Sequence, residues 1–184
     1  RTLAQHGVWG ISPDRFVSAS SSPAWVVILA AVDRLLGVRE MTSFFLNVIL
    51  AGVLLWQVFT LAVRAGMSSL WTSVLLVSVG VLTPLCVLVM AGMEQLLQTI
   101  VDLAFIASAI AVLSGSDVRR SRTTLWMLAA VVTAGRYEGA VLVAIVALLL
   151  LVRGRWSDAL AVGGLGALPI VALGSVSLWH GGYF

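Results

Sequence analysis

Two opposite charges, Arg136 and Glu138, stand either side of Tyr137 in a run that is otherwise apolar or small from Leu125 to Val152. A charged side chain at mid-bilayer costs about 2.5–3.5 kcal/mol on insertion scales, so the pair needs a reason. One reason is an ion pair that ties two helix ends together. The other is a phosphate clamp, because the planar guanidinium of Arg136 matches two phosphate oxygens and stays charged while Glu138 orients it. Gly135 and Gly139 bracket the charges, which suits a break between helices at a water-filled cavity better than one long helix.

The remaining chemistry-bearing residues are few. Glu94 follows Gly92 at the start of an apolar run. There it either complements a helix N-terminus or presents a carboxylate able to bind a sugar hydroxyl or a metal. Asp102 lies two turns further on, displaced by about 80° around the helix, and fits a buried hydrogen-bonded partner of a neighbouring span. Ser12-Pro13-Asp14-Arg15 is turn chemistry, and the serines ending at Ser22 would cap a helix opened by Pro23. His180, beside Trp179 and Tyr183, reads as an interfacial anchor before it reads as a base. The lone Cys86 excludes a disulfide framework and, in its apolar stretch, reads as a buried packing residue. There is no Gly-rich phosphate loop, Cys/His metal pattern or serine-nucleophile elbow.

The elements that must position these groups are membrane elements. Of 184 residues, 60% are hydrophobic and 10% charged, against about 25% charged in a soluble domain; with a mean hydropathy of +1.08 the chain is an integral membrane protein. Its eleven basic residues are all Arg and its net charge is +3. They fall in short loops between apolar runs, which is no nucleic-acid signature. No signal peptide is visible and the chain opens on Arg1-Thr2-Leu3, so it reads as a piece of a longer protein.

Residues 1–42 read as an outer loop with an interfacial helix over 24–36, too short at about 20 Å to cross a 30 Å core. Residues 43–184 read as an all-α bundle of about six spans, two of them short. The spans fall at about 43–63, 69–90 (kinked by Pro84), 95–114, the short pair 124–134 and 139–152, and 158–179. Residues 114–124 read as a polar loop. Arg64, the arginines of 119–122 and the pair Arg153 and Arg155 share one side if the spans alternate, and the positive-inside rule makes that side cytoplasmic. Trp71, Trp126 and Trp156 then mark the inner interface, Trp25 and Trp179 the outer one. The outer side receives the 7–23 loop, Glu94, Arg136-Tyr137-Glu138 and His180. No internal repeat is visible, which weighs against an inverted-repeat transporter.

Four stretches in this order carry a resemblance: the Gly-rich loop from Gly7 to Trp25, Gly92-Met93-Glu94 opening a span, Arg136-Tyr137-Glu138-Gly139 between short helices, and Gly181-Gly182-Tyr183-Phe184 after a span. Together they resemble bacterial GT-C type glycosyltransferases, polytopic membrane enzymes that use polyprenyl-phosphate sugars. The nearest branch is the actinobacterial arabinofuranosyltransferase-like and mannosyltransferase-like one. The resemblance implies transfer of a sugar from a polyprenyl-phosphate donor to a glycan, lipid or protein acceptor outside a bacterial plasma membrane. It implies a catalytic aspartate ahead of Arg1, so Asp14 takes no such role. The substrate side would comprise Arg136, Tyr137, Glu138, Glu94, Ser22, His180 and Tyr183. Tyr137 stands where many relatives carry Pro, implying a less sharply broken backbone. No fixed cofactor is implied, though a divalent metal has room beside the leaving phosphate. A transporter or flippase gated by Arg136 and Glu138, and a non-catalytic membrane subunit, are the competing expectations.

Overall fold

A computed structural model describes Leu3 and residues 22–115 and 118–179. Among them the chain is all-helical. The helices are α1 (Pro23–Leu36), α2 (Thr42–Arg64), α3 (Ser69–Leu82), α4 (Leu85–Ala91), α5 (Gln95–Leu113), α6 (Val118–Gly135), α7 (Gly139–Val152) and α8 (Trp156–Trp179). Three of them, α2, α5 and α8, are long and apolar enough to cross a membrane, and α3 with α4 makes a fourth if that pair, bent by 47°, is one span. Large apolar side chains such as Trp56, Leu82, Met90 and Leu160 are exposed, as expected where lipid rather than water is the solvent. Hydroxyls within the helices turn back to carbonyls one turn earlier. Thr60 donates to Trp56 at 2.8 Å, Ser108 to Ala104 at 2.8 Å and Ser175 to Val171 at 2.7 Å, so apolar surroundings leave these hydroxyls paired. The chain is a membrane protein by these features.

The chain divides into two compact units, one of residues 39–100 and one of residues 1–38 with 101–184, the boundary falling inside α5. In the larger unit α8 packs on α6 and α7, α6 on α7, and α1 on α6. Its core is one cluster of Phe105, Ala109 and Val112 from α5, Leu125, Ala129 and Val132 from α6, Val143, Val146 and Leu150 from α7, and Ala159 and Val162 from α8. The steps of three and four put each set on one helix face. Glycine allows the tightest approach: a Cβ on Gly166 would lie 2.6 Å from Val143 Cγ1, the close contact small residues permit between membrane helices.

In the smaller unit α2 packs on α3 and α4, and α3 on α4. Asn47 is fully buried and donates its amide to Ser43 O at 3.0 Å, while Gln57 reaches Ile100 O at 3.1 Å. Gly92 ends α4 in the left-handed region at φ +65, facing Ser43.

Several expectations hold at the level of elements. The 43–63, 95–114, 139–152 and 158–179 runs are α2, α5, α7 and α8, and the 69–90 run breaks at Thr83-Pro84 as a proline there dictates. Others need correction. The stretch 114–124 is not all loop: α6 starts at Val118, so the first of the two short helices has 18 residues, about 27 Å. Arginine is a good helix former, and the arginines of 119–122 extend the helix rather than stop it. Cys86 is exposed, because on short α4 it is Leu85 that turns inward. Trp25 is buried in α1 and so lines no outer edge. Ser22 precedes α1 without capping it through its side chain, Pro23 filling the first turn instead.

Candidate functional site

Helix α6 ends at the buried Gly135, and α7 begins at Gly139. Between them the backbone continues in tight turns rather than breaking off. Arg136 N–H donates to Val132 O at 3.3 Å, Gly139 N–H to Arg136 O at 3.0 Å, Ala140 N–H to Tyr137 O at 3.0 Å and Val141 N–H to Glu138 O at 3.1 Å. These bonds occupy groups that helix ends otherwise leave open. The turn between the two glycines is therefore helix-like. Gly139 is required by close approach: a Cβ would sit 2.6 Å from Val132 O and 2.7 Å from Val132 Cγ1.

This turn aims the two charges at each other. Arg136 Nε donates to Glu138 Oε2 and Nη2 to Oε1, both at 3.1 Å. The pair is fork to fork and asymmetric in exposure, with 29% of the Arg136 side chain and 67% of the Glu138 side chain accessible. The Arg136 hydrogen bond, and after it the Glu138 amide, hold the Glu138 carboxyl below its ordinary value of 4.5. Tyr137 is partly exposed beside them. Chemically, this is a neutralised ion pair on an open turn, and an anion competing for the Nε–Nη2 fork of Arg136 would have to replace the Glu138 carboxylate.

The other predicted site residues are distributed. Glu94 immediately precedes α5, its carbonyl accepting from Gln98 N–H at 3.0 Å, and it belongs to the smaller unit. Asp102 is half-buried in α5. Ser22 is buried. Asp14, Arg15, His180 and Tyr183 lie outside the described residues. Among the described residues no three His, Cys, Asp or Glu side chains stand together to hold a metal, and the roles proposed below use none.

A second charged cluster carries no motif. Asp158, in the first turn of α8, is 2% exposed and accepts from Arg122 Nε at 2.7 Å and from Arg155 Nε at 2.8 Å. Arg155 reaches it because α7 ends in a reverse turn: Gly154 takes φ +71, Arg155 N–H donates to Leu150 O and Gly154 N–H to Leu151 O, both at 2.9 Å. Arg155 Nη1 also donates to Val112 O at the end of α5. Two arginine-rich segments, expected on one side from topology alone, therefore meet on one carboxylate. The available signal was an acid three residues after Arg155 at the head of a span, a favourable place for it near a helix N-terminus. No family model, no curated protein and no solved structure matches this chain.

Proposed function

We propose that this chain is part of a membrane glycosyltransferase that moves a sugar from a polyprenyl-phosphate donor to an acceptor hydroxyl on the outer face of a bacterial plasma membrane. The observation that carries the reading is an exposed Arg136-Glu138 pair on a turn between two helices of a membrane protein. Lipid phosphate would exchange with Glu138 on Arg136, whose fork fits either oxyanion. Released Glu138 would then be available to a sugar hydroxyl, with Tyr137 as the adjacent apolar surface. In this reading the bundle makes about six spans, α7 being the short one and the α6–α7 turn facing outward. The arginines of 119–122 and 153–155 mark the cytoplasmic side. The general base would be an aspartate ahead of Arg1.

The second reading, a non-catalytic membrane subunit, is favoured by one observation: both Arg136 donors that face Glu138 are already engaged by it. The whole protein, purified and given polyprenyl-phosphate sugars of several kinds, separates the two. Release of lipid phosphate that drops on the order of a hundredfold in Arg136→Lys, with folding intact, supports the clamp. No release from any donor, or full activity in Arg136→Lys, sinks it.

A further inference from the structure

Two guanidiniums share the single carboxylate of Asp158, so among the described residues this cluster carries one unbalanced positive charge. Its donors are also in excess. Arg122 uses Nε on Asp158 and Nη2 on Ser157 Oγ at 3.4 Å, and Arg155 uses Nε on Asp158 and Nη1 on Val112 O. Arg122 Nη1 and Arg155 Nη2 donate to no described residue, and both side chains remain partly open, at 34% and 24%. Independently, the Trp126 indole N–H is buried with no acceptor among the described residues, its ring centroid 5.4 Å from the Arg122 guanidinium carbon. A buried N–H without an acceptor is costly, and a headgroup oxygen reaching it as the side chains around it shift would relieve that cost.

We infer that the Arg122–Asp158–Arg155 cluster, with Trp126, holds the headgroup of an anionic phospholipid. The excess charge selects a net negative partner, and paired guanidinium forks match phosphodiester oxygens. Lipid is the source because the cluster stands at the ends of apolar helices, with Val152 and Trp156 exposed next to it. Asp158 holds both guanidiniums in place, so little ordering is left for binding. The site is distinct from Arg136 and Glu138, and binding is read without any transfer assay.

The test is native mass spectrometry of the whole protein released from mixed vesicles of phosphatidylglycerol and phosphatidylcholine in equal amounts. Retained phosphatidylglycerol should exceed phosphatidylcholine by about tenfold, fall to near parity in Arg122→Gln, and drop about threefold in Trp126→Phe. Arg153→Gln, an exposed arginine outside the cluster, should leave the preference unchanged, and millimolar inorganic phosphate should not displace the lipid. Equal retention of both lipids overturns the inference, as does an equal loss in Arg153→Gln, which would mean diffuse charge. Displacement by inorganic phosphate overturns it by making the free anion the ligand. If Arg122→Gln does not fold, Trp126→Phe decides, because it keeps both ion pairs.

Discussion

Arg136 and Glu138 pair through two hydrogen bonds, yet the acid is mostly in the open. Its depressed pKa gives the pair a pH dependence of definite sign. A carboxylate whose folded pKa lies below its unfolded one adds stability above the ordinary value and loses it as pH falls through the folded value. Wild type should therefore melt slightly above Glu138→Gln at pH 7, and the gap should close as pH drops below 4.5. Exposure keeps the effect small. Thermal unfolding of both proteins across that range checks it, and a gap that widens in acid would contradict the assignment. The charges and their bracketing glycines were legible in the sequence. Their mutual engagement was not, because side chains two apart face each other only when the backbone turns as it does between α6 and α7.

At the scale of elements, the α6–α7 junction depends on Gly139. A methyl there would press on the Val132 carbonyl, part of the backbone, as well as on a Val132 methyl. Gly139→Ala should cost about 1–3 kcal/mol, measured by unfolding in detergent micelles. Adding Val132→Ala should not restore stability, since the carbonyl stays. Full rescue would show that only the side chain matters. Element positions were legible wherever a long apolar run ended in Gly or Arg, as at α2 and α7. At the start of α6 polarity and propensity disagree: the arginines suggest a loop by polarity, yet they continue a helix by propensity.

At the scale of the molecule, Asp158 joins α5, α6 and α8 of one unit through two arginines. Removing it leaves two guanidiniums close together with no ion-pair partner among the described residues. Asp158→Ala should destabilise by on the order of 3 kcal/mol, read by thermal or denaturant unfolding, whereas a loss no larger than that of an exposed carboxylate would refute the network. Composition and run length alone determined that this is an all-helical membrane protein, roughly where its helices lie, and that Arg136 and Glu138 sit at a junction. Only the tertiary structure decided which face of each helix is buried. A helix apolar all round has no polar side to contrast with its core side, so the 3.6-residue period carries no signal. Which glycines touch Val132 and Val143, and that Arg122 and Arg155 converge on Asp158, depend on packing between segments distant in sequence.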